Sequence, residues 1–388
     1  MTDNFKTALG RVRVLDLTEA RGQYAAKMLA DFGADVIKVE QPEGSQARRM
    51  GPFKDDLPAI EGSLYFINFN TNKRGVTLNI DSPGGKDIFR KLVARTDVVI
   101  EDHDPGVMRS KNLDYSVLKE LNRGLVMASI SGFGQDGPYS WYKAPDIVSF
   151  AMGGLMYSSG DPEAAPVVAP GEQAFHGASI LAVSGILAAL LLRLSTGEGQ
   201  LVDISAHEVM ASQNHEQIMR YSTKSDIGGR TGSQHSAAPA RIFPCKDGYV
   251  HICVLRPNQW RSFLELVGKP EILADEVWDD AFLRRRNNDL IDPFATEYTM
   301  SRTRAEITEV CQAKGIPCTP VNTPEDFFND PHIKARAFFT EVEHPAIGRH
   351  FYPGSAFRLS QTPCRIDRPA PLLGQHNQEI YCGELGRS

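Results

Sequence analysis

Short runs of β-branched and aliphatic residues alternate with amphipathic stretches along the first half of the chain. The runs predict strands at residues 12–17, 34–39, 97–100, 125–130 and 201–204. The amphipathic stretches predict helices at residues 24–32, 85–94, 178–194 and 206–219. Strands separated by helices indicate βαβ units, so this half is predicted to be an α/β domain with a mostly parallel sheet.

The pattern changes near Thr223. Residues 227–235 are glycine-rich and polar, which is typical of a linker or a mobile loop. A smaller α+β domain is predicted beyond this loop, with a strand at 249–254, helices at 259–266, 288–299 and 304–313, and a further element at 317–321. The chain is loop- and turn-rich from about residue 329 onward. We therefore divide it into a large domain at 1–222 and a smaller one at 223–328.

Composition places the chain among soluble globular proteins. Its 388 residues are 41% hydrophobic and 23% charged, enough to bury a substantial core. The net charge of −6 gives no attraction to nucleic acid or to anionic membranes, so neither is expected as a partner. The N-terminus lacks the apolar stretch of a secretory signal, and the apolar segment 178–194 is short for a membrane span and is interpreted as a buried helix.

Two sequence patterns suggest a cofactor and fail in their context. Residues 132–137 match GxGxxG, but Pro138 follows where a dinucleotide-binding helix should begin, so we interpret the match as a turn. His207 and Glu208 lie on a predicted helix without a second histidine one turn later, where Ala211 stands. The six cysteines are scattered without CxxC pairs, which favours reduced thiols in the cytoplasm, and no metal site is predicted.

Basic residues lie near the predicted ends of several strands, with Lys73 and Arg74 just before one, and α/β folds bind ligands in the loops at the carboxyl ends. They are Lys38, Arg48, Arg49, Lys73, Arg74, Arg109, Lys111 and Lys143. Each one alone is most often a solvated surface charge. Together they are candidates to hold an anionic ligand such as a phosphate.

The sequence resembles the class III coenzyme A-transferases, a superfamily that includes formyl-CoA and carnitine CoA-transferases and α-methylacyl-CoA racemase. The matching segments, in order, are 14–18 (VLDLT), 28–40 (MLADFGADVIKVE), 72–74 (NKR), 105–108 (PGVM), 132–138 (GFGQDGP), 185–190 (GILAAL), 196–200 (TGEGQ), 230–232 (RTG), 243–248 (FPCKDG), 315–317 (GIP), 330–332 (DPH) and 370–374 (APLLG). One match alone carries little weight, but so many in order make the resemblance specific and nearly end to end.

The resemblance implies a doubly wound large domain that is completed by about 329–388, with the smaller domain inserted. It also implies an interlocked dimer, with the loop at 227–232 beside the active site. A CoA thioester is then a substrate, with a carboxylic acid as the acceptor, and no cofactor is bound permanently. The residues that the resemblance and the basic pattern assign to CoA are Lys38, Arg48, Leu78, Arg109 and Lys143.

Several positions differ from the family pattern. A basic residue is replaced by Gln41, a Glu-Asn pair reads Glu101-Asp102, and the cation expected at Ser110 is displaced to Arg109. The racemase histidine falls at Pro145, which cannot transfer a proton.

The family nucleophile is an aspartate, since only a carboxylate can form the acyl anhydride and enzyme–CoA thioester of its covalent mechanism. Counting ten residues back from Gly185 reaches Phe175, and keeping the family spacing to Gly177 reaches Gln173. Neither side chain can act as this nucleophile. Glu172 is the nearest acid and His176 a nearby base, although an acid that stabilises a helix N-terminus and a locally hydrogen-bonded histidine are the commoner roles.

Three functions remain open from the sequence. The chain is a subunit that assembles with an aspartate-bearing homologue, with or without chemistry of its own, or a self-sufficient CoA-transferase that uses Glu172. The third possibility is that the chain is a lyase or dehydratase of CoA thioesters, a reaction that needs a base rather than a nucleophile.

Overall fold

The computed structural model describes residues 7–233 and 238–386. The chain forms two compact units, the first from Met1–Met156, Val168–Asp226 and Lys334–Ser388, the second from Tyr157–Val167 and Ile227–Ile333. Residues 157–167, which the sequence analysis placed in the large domain, group with the second unit. Arg230 holds them there by donating hydrogen bonds to the carbonyl oxygens of Asp161 and Ala164, both at 2.9 Å.

A six-stranded parallel sheet forms the centre of the first unit. Its strands are β1 (Arg13–Asp16), β2 (Asp35–Glu40), β3 (Arg74–Thr77), β4 (Val98–Glu101), β5 (Val126–Ser131) and β6 (Leu201–Ser205). They lie in the order β3-β2-β1-β4-β5-β6, with every pair parallel. This confirms the predicted α/β fold class. The order reverses between β1 and β4, and ligands of doubly wound sheets bind at that point, beyond the carboxyl ends of the strands.

Helices cover both faces of the sheet. They are α1 (Gln23–Asp31), α2 (Leu64–Phe69), α3 (Pro83–Val93), α4 (Val107–Ser110), α5 (Tyr115–Leu121), α6 (Asp146–Met152), α7 (Gln173–Thr196), α8 (Ala206–Gln213) and α9 (His215–Lys224). One apolar core lies between the sheet and α1 and α7, and a second between the sheet and α3 and α5. Because both faces are covered, central strands such as β4 and β5 are buried along their whole length rather than at alternate residues.

Helix α7 begins five residues before the predicted position 178. Ala178, Ala182 and Ile186, spaced four apart, are fully buried in the core that α7 shares with α1. Leu191 and Leu194 near its end are exposed. By length and composition α7 could cross a membrane, and 44% of its most apolar window is buried inside the structure. The prediction of a buried helix therefore holds for one face only.

The C-terminal part of the first unit has more regular structure than the sequence indicated. An antiparallel hairpin of β10 (Phe339–His344) and β11 (Gly348–Pro353) and a π-helical segment at Gln378–Glu384 lie in the region predicted to be loops. The chain then contacts the edge of the large sheet, where Arg74 donates hydrogen bonds of 2.6 Å to both Glu379 and Glu384.

The second unit has its own core. Strands β7 (Ala240–Cys245), β8 (Gly248–Cys253) and β9 (Cys318–Pro320) form an antiparallel sheet. Its helices are α10 (Pro257–Leu266), α11 (Ala281–Arg286), α12 (Asn288–Met300), α13 (Arg304–Ala313) and α14 (Pro324–Asn329), and α15 (Pro331–Ala335) follows. Trp260 and Phe263 are buried in the core of this unit. Strands and helices in this arrangement confirm the predicted α+β character.

A buried carboxylate at the end of β1 joins three neighbouring strands of the large sheet. Asp16 is fully buried, and Lys73, which precedes β3, donates a 2.7 Å hydrogen bond to it. The ammonium of Lys38 on β2 lies 3.5 Å from the other carboxylate oxygen. Burial alone would raise the pKa of Asp16, but Lys38 and Lys73 more than offset that effect and lower it. The carboxylate thus stays ionised and compensates two buried cations.

Replacing Asp16 with asparagine keeps the shape and leaves both lysines without a counter-charge. We expect Asp16→Asn to lower the free energy of unfolding by about 3–5 kcal/mol, the usual cost of breaking a buried ion pair. Urea denaturation measures it, with Glu343→Gln as the control because Glu343 pairs with Arg349 at the surface. Equal stability of the two variants would contradict this role of Asp16.

Candidate active site

The loop after β1 lies at the point where the strand order reverses, and a second carboxylate fixes its shape. Asp102, directly after β4, accepts hydrogen bonds from the backbone N–H groups of Glu19 (2.7 Å), Ala20 (3.0 Å) and Gly22 (3.1 Å). Each of these N–H groups would otherwise need another acceptor, so Asp102 fixes the backbone of this loop.

Tyr65 connects Glu172 to the same loop through its hydroxyl group. Glu172 is the N-cap residue of α7, and its carboxylate accepts a 2.6 Å hydrogen bond from the hydroxyl of Tyr65 on α2. The same hydroxyl lies 3.3 Å from the carbonyl oxygen of Ala20. Burial and the hydrogen bond to Glu172 raise the pKa of Tyr65, so the phenol keeps its proton. Glu172 is half-buried and held in one position.

Sequence counting assigned the nucleophile to position 175 or 173, and neither residue is an acid. The structure shows where each of these two side chains lies. Phe175 is 6% exposed and packs in the core, with the Arg21 guanidinium 5.9 Å from its ring centroid. Gln173 is exposed and donates to the carbonyl oxygen of Pro170 at 2.8 Å. The first turn of α7 thus presents no carboxylate from either position.

Sequence reasoning missed one carboxylate at this helix end. Asp146, the first residue of α6, accepts a 2.9 Å hydrogen bond from the backbone N–H of Phe175. Burial raises the pKa of Asp146, while hydrogen bonds from the backbone of Phe175 and Ala174 oppose the rise. The Asp146 carboxylate thereby provides an acceptor for N–H groups at the start of α7, which have no acceptor within the helix. Asp146 and Glu172 therefore flank the first turn of α7.

His176 lies one turn after Glu172. Its ring is half-buried against Tyr24 and Phe69, with centroid separations of 5.5 and 5.6 Å. Burial lowers its pKa below the ordinary value of 6.5, although the carboxylates of Glu172 and Asp146 oppose the shift. His176 is therefore neutral at pH 7 and able to accept a proton, as a general base must.

Three residues assigned to CoA from the sequence are buried. Lys38 pairs with Asp16, and Arg48 donates to both oxygens of Glu40 and to Glu61, at 2.7–2.9 Å. Leu78 is buried in the core beyond β3. Both cations already have carboxylate partners and almost no exposed surface, so they organise the loops around the site instead of offering a free charge to a phosphate.

The other two assigned residues, Arg109 and Lys143, lie at the surface of the crevice. Their side chains are 84% and 83% exposed. Lys143 donates a 2.6 Å hydrogen bond to Asp104 and lowers the pKa of that carboxyl group. Asp104 and Arg109 also line a cavity of about 410 Å³ beyond β4 and β5, together with Ser129 and Gln135. Arg109 lies 3.8 Å from Asp114, so both cations have a carboxylate partner, but their exposed side chains remain accessible to an anionic ligand.

Across residues 7–233 and 238–386, no group of three or more His, Cys, Asp or Glu side chains is placed to hold a metal ion. Gly134 and Gly137 of the GxGxxG segment adopt positive φ angles of 85° and 88° in a loop, as expected of a turn.

Comparison with known proteins establishes the family. Residues 9–377 match CoA-transferase family III. The chain is 34% identical to formyl-CoA:oxalate CoA-transferase of Streptomyces coelicolor, covering 98% of this chain and 95% of that protein. It is 32% identical to succinyl-CoA:(R)-benzylsuccinate CoA-transferase subunit BbsE of Thauera aromatica, covering 96% and 94%. The chain belongs to CoA-transferase family III.

A solved structure agrees with this assignment. The crystal structure of a CAIB/BAIF family protein from Brucella suis superposes with a TM-score of 0.87 at 30% identity, covering 97% of this chain and 99% of that one. The family resemblance read from the sequence is thereby confirmed along nearly the whole chain.

The neutral state of His176 is measurable by NMR titration of its imidazole. We expect a pKa below 6.5, with burial as the main cause. The folded chain then binds this proton less readily than the unfolded chain, so stability falls as the pH drops below about 6.5. His176→Gln should lose less stability between pH 6.5 and 5 than the wild type. A pKa above 6.5 would contradict this assignment.

Asp146 should stabilise the start of α7. Asp146→Ala removes the acceptor for Phe175 N–H and is expected to cost about 1–2 kcal/mol in urea denaturation, as for other helix N-terminal acceptors. Asp146→Asn keeps an acceptor oxygen and should cost clearly less. Identical losses for both variants would show that the hydrogen bond is not the source of the effect.

Proposed function

We propose that this chain takes part in CoA transfer between acyl-CoA thioesters and carboxylic acids as one subunit of an assembly with an aspartate-bearing paralogue. The observation that carries the proposal is Phe175, because the residue that the family resemblance places at the nucleophile is an apolar side chain packed in the core. The name of a relative along nearly the whole chain, subunit BbsE, describes a part of a larger enzyme.

In this proposal the chemistry starts at the paralogue's aspartate. The carboxylate attacks the thioester carbonyl, which gives a mixed anhydride and releases CoA thiolate. The thiolate attacks the anhydride and forms an enzyme–CoA thioester, releasing the first carboxylate. The acceptor carboxylate then takes CoA by the reverse sequence. CoA thioesters are the substrates, so no permanently bound cofactor is needed.

The role of this chain is to bind and position. Arg109 and Lys143 are exposed beyond the carboxyl ends of β4 and β5, and they are suited to the phosphates of CoA. The loop after β1, held by Asp102, offers backbone groups at the point where doubly wound sheets bind their ligands. Interlocking with the paralogue and a cytoplasmic location belong to the same proposal.

A second candidate function rests on the Tyr65–Glu172 hydrogen bond. A carboxylate that is half-buried, fixed at the N-terminus of α7 and one turn from a neutral histidine is chemically competent as a nucleophile. In that case the chain transfers CoA alone and forms the thioester on Glu172.

The two candidates differ in what the purified chain does alone. We expect no transfer from a panel of acyl-CoA donors and carboxylic acids until the paralogue is added, and the paralogue should co-purify from the native source. Robust transfer by the homogeneous chain would contradict the subunit proposal.

Substitution at Glu172 gives an independent test in the reconstituted assembly. Glu172→Gln should change the rate little if the nucleophile belongs to the paralogue, and Glu198→Gln at the surface is the matched control. A loss of about a thousandfold or more, the scale expected for a lost nucleophile, would instead establish the second candidate.

The scaffold itself is tested at position 175. If only the nucleophile is missing, Phe175→Asp should give the chain alone detectable transfer, whereas Phe175→Asn, of equal size, should not. No gain from a folded Phe175→Asp variant would show that more of the site than one side chain has diverged.

A further inference from the structure

A second cavity of the first unit is lined in part by His176, one turn of α7 after Glu172. Its volume is about 520 Å³, within the range of small-molecule sites. Its lining comes from α1, α2, α7 and the chain around β11, and includes Tyr24, Phe69, His176, Ile180, Ala356 and Phe357. It is a pocket built by four separate parts of the chain.

The walls of this cavity are aromatic. Tyr24, Phe69 and His176 contact one another with ring centroids 5.5–5.9 Å apart and inclined planes. Phe32 and Phe357 stack on the other side at 4.9 Å with an interplanar angle of 10°. Aromatic edges and faces at such spacings accommodate a planar apolar group well.

The charges in the lining are already neutralised within the protein. Lys27 donates to Asp31 at 2.8 Å and to Thr71 at 2.6 Å, and Asn72 donates to Asp31 at 2.7 Å. Burial raises the pKa of the Cys364 thiol, so it is uncharged at neutral pH. A ligand group that enters the cavity meets no unpaired charge from these residues, which favours an apolar group over a second carboxylate.

One face of α7 carries residues of both the candidate active site and the cavity lining. Glu172, His176 and Ile180 follow at intervals of four residues, which places them above one another on a helix. His176 and Ile180 line the cavity, and Glu172 caps the same face. Tyr65, which binds Glu172, has its ring 5.0 Å from that of Phe69 in the wall. A thioester that this chain binds with its acyl carbonyl beside the first turn of α7 would direct its acyl chain toward the cavity.

We propose that this cavity binds the acyl group of the thioester, and that the group is apolar and of aromatic size. The proposal rests on the function proposed above and names its substrate class. By this proposal the acyl specificity of this chain differs from that of a transferase for short dicarboxylates. A dicarboxylate acyl group needs a cation at the far end of the acyl pocket.

Affinity for pairs of thioesters isolates the contribution of the acyl group, since the CoA part is shared. Isothermal titration calorimetry of the assembly as purified should show 3-phenylpropanoyl-CoA binding at least about tenfold more tightly than propanoyl-CoA and succinyl-CoA. Ala356→Trp, which fills the cavity, should abolish the difference in affinity between the phenyl and the short thioesters. Ala305→Trp, on an exposed position of α13, is the matched control.

A variant with the opposite effect keeps the test decisive if Ala356→Trp fails to fold. Phe357→Ala enlarges the cavity and should shift the preference toward a naphthyl-sized acyl group. Equal affinities for the phenyl and short thioesters in the wild type would overturn the acyl-pocket proposal and leave CoA transfer intact. Dissociation of the assembly by Ala356→Trp in sedimentation analysis would also overturn the acyl-pocket proposal. It would show that another subunit occupies the cavity in the wild-type assembly.

The uncharged amide 3-phenylpropanamide separates this proposal from the proposed function. If no CoA thioester binds but the amide does, and Ala356→Trp blocks it, the apolar pocket stands and CoA transfer fails. If neither the thioesters nor the amide binds, both proposals are overturned.

Discussion

The ionised carboxylate of Asp16 is the constraint on which the site depends. It compensates Lys38 and Lys73 inside the sheet and also accepts hydrogen bonds from the backbone N–H (2.9 Å) and hydroxyl (2.6 Å) of Thr18. The loop after β1 therefore leaves the sheet in a defined direction. Asp102 fixes the same loop from the neighbouring strand, so two buried acids position its backbone where the strand order reverses.

Helix α7 connects this scaffold to the candidate chemistry. Its first turn is held by Asp146, and Ser179 donates a 3.0 Å hydrogen bond to the carbonyl oxygen of Arg21 in the β1 loop. These contacts position the helix end whether or not residue 175 carries an acid. In the proposed function, the scaffold stays intact without a nucleophile at position 175, so this chain binds substrate and a paralogue supplies the covalent step.

Local patterns predicted the elements whose burial is uniform. Strands such as β5 are buried along their whole length, and the fold class follows from their alternation with helices. The start of α7 was not predictable, because residues 173–177 (QAFHG) show no clear period and depend on Asp146, 29 residues earlier in the chain. The β10–β11 hairpin was missed since its alternation is weak and its strands are partly exposed.

The candidate site was predicted only in part, because it too depends on contacts between residues that are distant in the sequence. Glu172 and His176 were found through a family spacing, and the structure brings both to one helix face. The roles of Lys38 and Arg48 could not be read from the sequence, because a cation after a strand looks the same whether it faces a phosphate or a buried carboxylate. Tyr65 and Asp146 carry no motif, and only the tertiary fold places them beside Glu172.

The most direct test of this account is to map the CoA adduct that forms during turnover. The native assembly is mixed with an acyl-CoA donor, quenched, digested and analysed by mass spectrometry. The account predicts a CoA thioester on an aspartate peptide of the paralogue and an unmodified peptide around residue 172 of this chain. An adduct on Glu172 would contradict it and make this chain a transferase in its own right.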